Sequence, residues 1–411
     1  MDPQGRSRRL YGAALLAASL VALGAAAVYR RSAMPAAGPP SPDCGFQRRG
    51  FGPRGAVPVQ AQTVASDLEV PWGIAFLPDG DWLVTERPGR VRRLREGRLS
   101  PSPVATIPQV ASAEGGLMGI ALHPEFARNR AFFLYASVEK PHGLVNQLQR
   151  WVLSSDGASA TLERVLVDDI PGARYHDGGR LRMGPDGMLY VATGDATARD
   201  RAQDLRSLSG KLLRFTPEGE VPADNPFAGS PVLLLGIRNC EAFDWRDPRT
   251  LYVADHGPSG ELGRTGHDEV SAARAGENLG WPAIFGCEAR TGFVTPSLSW
   301  EEAVPPGGAA VYTGEAIPEW RGSLLLGTLR SKHLHRVAFD PSDPRRVASH
   351  EVYFLGDPPE GLGRLREVVM GPDRELYVTT SNCDGRGRCP PGKDRILRIT
   401  SPARPAAGPS P

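Results

Sequence analysis

His176 and Asp195 lie at the two ends of the stretch YHDGGRLRMGPDGMLYVATGD, Tyr175 to Asp195, and are the residues of this sequence best placed to do acid–base chemistry. Alternating residues up to Met183, a Pro185-Asp186-Gly187 turn and an apolar run from Met188 to Ala192 predict a β-hairpin. An antiparallel pairing brings the histidine before the first strand and the carboxylate after the second to the same end. A general base can meet its orienting acid there. A lone histidine beside glycines is more often a loop residue, so the chemical reading depends on the rest of the chain.

The strand-turn-strand grammar of that stretch recurs. GIAFLPDGDWLVTE from Gly73, GIALHPEFARNRAFFLYAS from Gly119, RLRMGPDGMLYVATGD from Arg180 and AFDWRDPRTLYVADHGP from Ala242 are four copies. AVYTGEAIPEWRGSLLLGTL and EVVMGPDRELYVTTSN are a weaker fifth and a stronger sixth, and a further strand follows each unit, rich in Arg and Leu except after the fourth, where it is DEVSAA. Units roughly 45 to 70 residues apart, without helical interruption, match propeller blades with variable loops better than solenoid turns. The chain therefore reads as all-β: a six-bladed β-propeller over residues 58–400, preferred to a sandwich array or stacked barrels. In such a ring the loops leaving equivalent strands collect at one mouth of the channel, and loops carry function more often than strands.

The positions expected at that mouth are Glu114, His176, Asp195, Arg238, Asn239, Asp255 to Pro258, Arg330, Arg364 and Arg366. Four arginines from three blades converge there. Planar guanidinium groups grip carboxylates and phosphates, so the expected occupant is a compact polyanion. Main-chain carbonyls at Gly257 and Pro258, with Asp255 in the same loop, could serve a hard cation such as calcium. No dinucleotide-binding fingerprint, nucleophile elbow or zinc motif is present.

Other features bear on compartment and partners. Arg6, Arg8 and Arg9 precede an apolar run from Leu10 to Val28, so residues 1–31 read as an export signal or an uncleaved membrane anchor. Either reading places the body of the protein outside the cytoplasm, periplasmic or extracytoplasmic. Residues 32–57 and 401–411 are rich in Pro, Ala and Gly, as expected of a tether and a flexible tail. A formal net charge of +2 argues for neither nucleic acid nor a membrane surface as partner. Five cysteines fit an oxidising compartment: Cys383 and Cys389 can close a short Gly/Arg loop, Cys240 and Cys287 are a candidate second pair, and Cys44 is left over.

Taken together, HDGGRLRMGPDG, IRNCEAF, DHGP with the later DEV, ENLGWP and GRLREVV resemble the soluble pyrroloquinoline quinone (PQQ)-dependent glucose/sorbosone dehydrogenases, and within them the aldose sugar dehydrogenase branch. The resemblance covers nearly the whole chain after the tether. It implies PQQ across the channel mouth, calcium bridging the cofactor to the carbonyls of Gly257 and Pro258, an aldose substrate and an external electron acceptor. It further implies that His176 takes the proton of the anomeric hydroxyl, Asp195 orients His176, and Arg238 and Asn239 lie at the quinone end. Arg330, Arg364 and Arg366 would pair with the cofactor's carboxylates, and Glu114 would stand beside the base. Glu114 replaces the Gln of glucose-specific relatives, Arg330 a Lys and Cys240 a common Pro, while ELGRTGH is an insertion before Asp268-Glu269. These departures leave the choice of sugar open, and the shorter substrate loops imply broad aldose specificity rather than strict glucose use. Two rival readings are a calcium-dependent propeller hydrolase such as a lactonase, and a non-catalytic glycan- or protein-binding propeller.

Overall fold

The computed structural model describes residues 41–107 and 113–402, so the expected signal or anchor and most of the expected tail lie outside the described residues. Within them, period-2 patterning has become strands, and the helical pieces are one four-residue α-turn, Phe126–Asn129, and three short 3-10 turns. The strands form six sheets arranged as the blades of a β-propeller.

Blade 1 begins at Pro71–Phe76 and blade 2 runs from Leu117–Leu122 outward to Ala160–Pro171. Blade 3 holds Leu181–Met183, Leu189–Ala192, Lys211–Phe215 and Val232–Leu235, and blade 4 begins at Cys240–Asp247. Blade 5 begins at Pro306–Val311. Blade 6 takes Leu365–Met370, Leu376–Thr380 and Asp394–Thr400 from the end of the chain and its outer strand, Gln60–Leu68, from near the start, which closes the ring. The apolar core lies between neighbouring blades: Phe133 and Leu148 of blade 2 meet Leu189, Val191 and Leu213 of blade 3, all fully buried. Each such side chain contributes about 1.5–3 kcal/mol of burial.

The channel is closed by charge. Arg180, 1% exposed, places its guanidinium 4.1 Å from the centre of the Trp72 ring of blade 1 and pairs with Glu367 of blade 6 at 2.5 Å. It also donates to the carbonyls of Glu241 (2.8 Å) and Gly307 (2.7 Å), so one side chain ties five blades at the axis. Arg182 adds a second bond to Glu367, 2.7 Å long. Burying such a pair costs desolvation, which the saturation of nearly every polar atom offsets.

Two expectations need correction. Over its described part, the expected tether belongs to the fold. Gly45–Gln47 adds a parallel strand to Leu298–Trp300 of blade 4, Phe51 stacks on His333 with centroids 5.2 Å apart, and Gly55 lies against Tyr353. Glycines that suggested flexibility serve close approach here. The second disulfide is Cys44–Cys287, with Cα atoms 5.6 Å apart, and not Cys240–Cys287. The added strand carries Cys44 to Cys287, whereas Cys240 starts the inner strand of blade 4, is fully buried, and is free. The Cys383–Cys389 closure is present.

Candidate active site

One channel mouth opens into a cavity of about 810 Å³ lined by seven arginines and five carboxylates, with His176 and His256. His176 reaches it from the loop entering blade 3. Its backbone has φ 65°, in the left-handed region that non-glycine residues seldom occupy, and Gly178 (φ 67°) and Gly179 (φ 107°) follow. Gly194 lies so close to the His176 carbonyl that a Cβ there would collide with it. The hairpin thus sets the two loops tightly against one another.

Its open end holds the expected pair: His176 Nδ1 lies 2.8 Å from Asp195 Oδ1. Asp195 Oδ2 accepts the indole N–H of Trp281 at 2.9 Å, and its Oδ1 also accepts the Thr197 amide at 2.8 Å. With Nδ1–H donated to the carboxylate, Nε2 is the acceptor nitrogen, 3.8 Å from Glu261 Oε1 on the cavity wall. Behind the histidine, Asp177 is buried, and desolvation pushes its carboxyl up to about 6. Asn146 and the Ala173 amide serve its Oδ1, while its Oδ2 has no partner.

Arg238 stacks on Trp281 at 5.6 Å and donates through Nη2 to Glu261 at 2.6 Å; its buried Nε is unpartnered. Asn239 lies behind the cavity wall and accepts the Gly178 amide at 2.9 Å. Asp255, expected to assist a cation, instead accepts the amides of Arg238 and Asn239, both at 2.7 Å, and burial raises its carboxyl to about 6. Gly257 and Pro258 line the cavity, and the Gly257 amide is anchored to Asp268 at 3.0 Å. Among the described residues neither of their carbonyl oxygens accepts a hydrogen bond.

The arginine set is divided. Arg330 is exposed at the rim, with no ion pair among the described residues. Arg364 pairs with Asp384 at 2.7 Å, and Arg366 with Glu241 at 2.5 Å, so both buried guanidinium groups already hold carboxylates of the chain. Glu114 is likewise engaged, its Oε2 accepting the His176 amide at 3.1 Å and its Oε1 pairing with Arg386 at 2.7 Å. Burial works to raise the Glu114 carboxyl, but the Arg386 bond and charge outweigh it and hold it below the ordinary range.

Arg87, Arg174, Glu241, Glu261, Trp281, Asp384 and Arg386 also shape the site, although no role had been drawn for them from the sequence. Signals for three were in view: Asp384 and Arg386 lie in the loop between two cysteines, and Glu261 opens the ELGRTGH insertion.

The family model of glucose/sorbosone dehydrogenase matches residues 68–397. The chain belongs to the glucose/sorbosone dehydrogenase family. It is 31% identical over 353 residues to aldose sugar dehydrogenase YliI of Escherichia coli, covering 80% of this chain and 91% of that one. A solved Thermus thermophilus protein assigned as a glucose dehydrogenase superposes with TM-score 0.75 at 43% identity, over 83% of this chain and 99% of that one. The PQQ-bound aldose sugar dehydrogenase of Streptomyces coelicolor superposes with TM-score 0.73 at 33% identity, over 85% and 99%. This member of the glucose/sorbosone dehydrogenase family is accordingly an oxidoreductase, built on the propeller its repeats predict.

Proposed function

We propose that the protein oxidises aldose sugars at C1 to lactones with PQQ and calcium bound at the arginine-lined mouth. The observation that carries this reading is the His176–Asp195 pair, 2.8 Å long, presenting Nε2 to that cavity. Asp195, doubly fixed by Trp281 and the Thr197 amide, holds the imidazole in the tautomer that accepts at Nε2. His176 then takes the proton of the C1 hydroxyl, and the adjacent carboxylate stabilises the imidazolium that forms. Arg238, which lines the cavity over the Trp281 ring and is held by Glu261, is suited to orient the sugar oxygen at the reacting carbon.

The residues present fit both groups. Seven guanidinium groups around the cavity suit a tricarboxylate, with the exposed Arg330 the readiest to pair and Arg364 and Arg366 sharing their charge with Asp384 and Glu241. The unengaged carbonyls of Gly257 and Pro258 are the hard oxygen donors a calcium ion takes. When bound, PQQ supplies the two-electron hydride acceptor and calcium a Lewis acid for its carbonyl.

A propeller hydrolase reading fares worse, because the cationic Arg180 guanidinium fills the channel where a catalytic calcium would need carboxylates. Export is part of the proposal: two disulfides suit an oxidising compartment, and fractionation of producing cells with N-terminal sequencing tests it. For the reaction, the metal-stripped protein is mixed with PQQ and calcium, and dye reduction is followed on a panel of aldoses beside His176→Ala. Turnover needing both additions and lost in the variant supports the proposal. Turnover indifferent to PQQ, or intact in the variant, sinks it.

A further inference from the structure

The segment CDGRGRC, Cys383 to Cys389, contains two glycines, and as an open loop it would be among the least ordered at the mouth. The disulfide shuts it into a ring across a sequence separation of 6. Inside that ring, Asp384 Oδ1 accepts the amides of Arg386 (2.9 Å) and Gly387 (3.1 Å), so the acid also shapes its own loop. Its Oδ2 holds Arg364 Nη2 at 2.7 Å and the Ser381 hydroxyl at 3.2 Å, with Arg366 Nη2 at 3.7 Å. The Asp384 carbonyl accepts from Arg87 of blade 1 at 3.2 Å.

Arg386 points the other way, across the mouth. It pairs with Glu114 Oε1 at 2.7 Å and lies over the Tyr175 ring, 5.8 Å from its centre. The other Glu114 oxygen holds the His176 amide at 3.1 Å. A continuous chain of bonds therefore runs from the ring on blade 6, through a carboxylate before blade 2, to the backbone of His176 before blade 3. That backbone sits at φ 65°, where it needs outside support to stay.

We propose that the Cys383–Cys389 ring is a positioning device for the reaction site: Arg386, acting through Glu114, fixes the backbone of His176, and Asp384 fixes Arg364 and Arg366. Arg386 is engaged with Glu114 and Asp384 with Arg364, and each acts on the site through that partner, so both are assigned as positioning residues. The part of this inference that concerns turnover rests on the dehydrogenase reading above; the part that concerns the His176 backbone stands without it.

The test compares wild type, Arg386→Ala, Arg386→Lys and the pair Cys383→Ser with Cys389→Ser, each loaded with PQQ and calcium. Arg386 is exposed, so Arg386→Ala is expected to fold with little change in Tm. Its kcat should fall on the order of 10- to 100-fold, the scale of a base displaced by a fraction of its productive geometry. The pH profile of kcat/KM should move with it, and Arg386→Lys should recover most of the loss. The serine pair should in addition weaken PQQ binding measured by titration, through slackened Arg364 and Arg366. Independently of turnover, hydrogen exchange at the His176 amide should quicken in Arg386→Ala and in the serine pair. If the serine pair does not fold, Arg386→Ala decides alone. Unchanged kcat, pH profile and His176 exchange in Arg386→Ala would overturn the proposal. Wild type with no PQQ-supported turnover overturns the dehydrogenase reading instead, and the exchange comparison still decides the positioning role.

Discussion

The hairpins that begin blades 3 and 6 are close copies: RLRMGPDGMLYVATGD against REVVMGPDRELYVTTSN. In each, a glycine amide closes the turn at 2.8 Å, on Met188 in one and Glu375 in the other. In each, a tyrosine hydroxyl donates to the turn aspartate, Tyr190 to Asp186 at 3.0 Å and Tyr377 to Asp373 at 2.7 Å. Each also joins a side chain before the hairpin to an acid after it: His176 to Asp195 at 2.8 Å and Arg364 to Asp384 at 2.7 Å. The scaffold is the same, but the pairs are not at equivalent positions: with the two turns aligned, His176 and Asp195 match Gly363 and Asn382, and blade 6 places its pair one and two residues further along. An imidazole can give and take a proton near neutral pH, whereas a guanidinium stays charged and can only bind and orient. Matching positions of the two hairpins, Arg180 and Glu367, meet across the channel at 2.5 Å. The repeat thus supplies both halves of the charge that locks the ring.

The comparison can be broken first at His176. His176→Ala should lower kcat by about 10²–10⁴-fold with the propeller intact by circular dichroism, because a positioned base is lost. The lock comes next. Glu367→Ala leaves Arg180 buried without its partner and should cost about 3–5 kcal/mol in denaturant unfolding. Replacing both members with apolar residues of similar volume should recover much of that loss.

A finer contrast lies in the two turns. Asp186 also pairs with Arg214 at 2.9 Å, while Asp373 has no ion pair among the described residues. Asp186→Ala should therefore lower Tm more than Asp373→Ala, which loses only turn and tyrosine bonds worth about 1 kcal/mol each. Equal losses would show that the arginine adds nothing to the turn of blade 3.

A last effect, visible only as a change with pH, is confined to blade 3. Burial raises the Asp177 carboxyl to about 6 against an ordinary 3.8, so the folded protein holds a proton that the unfolded chain has released. This contribution to stability is greatest at low pH and is lost as pH rises through the window from 3.8 to about 6. Asp177→Asn keeps the Oδ1 acceptor and removes the charge, so its Tm relative to wild type should climb between pH 4 and pH 7, by up to ~2 kcal/mol of stability. A constant difference across that range would place the perturbation elsewhere.

Legibility in the sequence followed the range of the interaction. The strand-turn-strand units could be read because side-chain alternation and Pro-Asp-Gly turns are local, and six copies of one grammar leave few architectures. The His176–Asp195 pair could be read because a single hairpin joins its members. Gly257 and Pro258 could be named, but not the engagement of Asp255 with the amides of Arg238 and Asn239, which depends on how that loop folds back.

Closure and cross-mouth pairing were decided only in three dimensions. Arg386 and Glu114 are 272 residues apart, and Cys44 and Cys287 are 243 apart. Neither separation carries a period or a spacing that marks the partner. Glycines at 52 and 55, read as a tether, face His350 and Tyr353, because closing the ring brings blade 5 beneath them. By itself the sequence determined the blades and the hairpin that carries the base, through forces acting over a few residues. The circular arrangement of those blades selected which charges meet at the mouth, since only ring closure sets distances between loops that the chain itself leaves far apart.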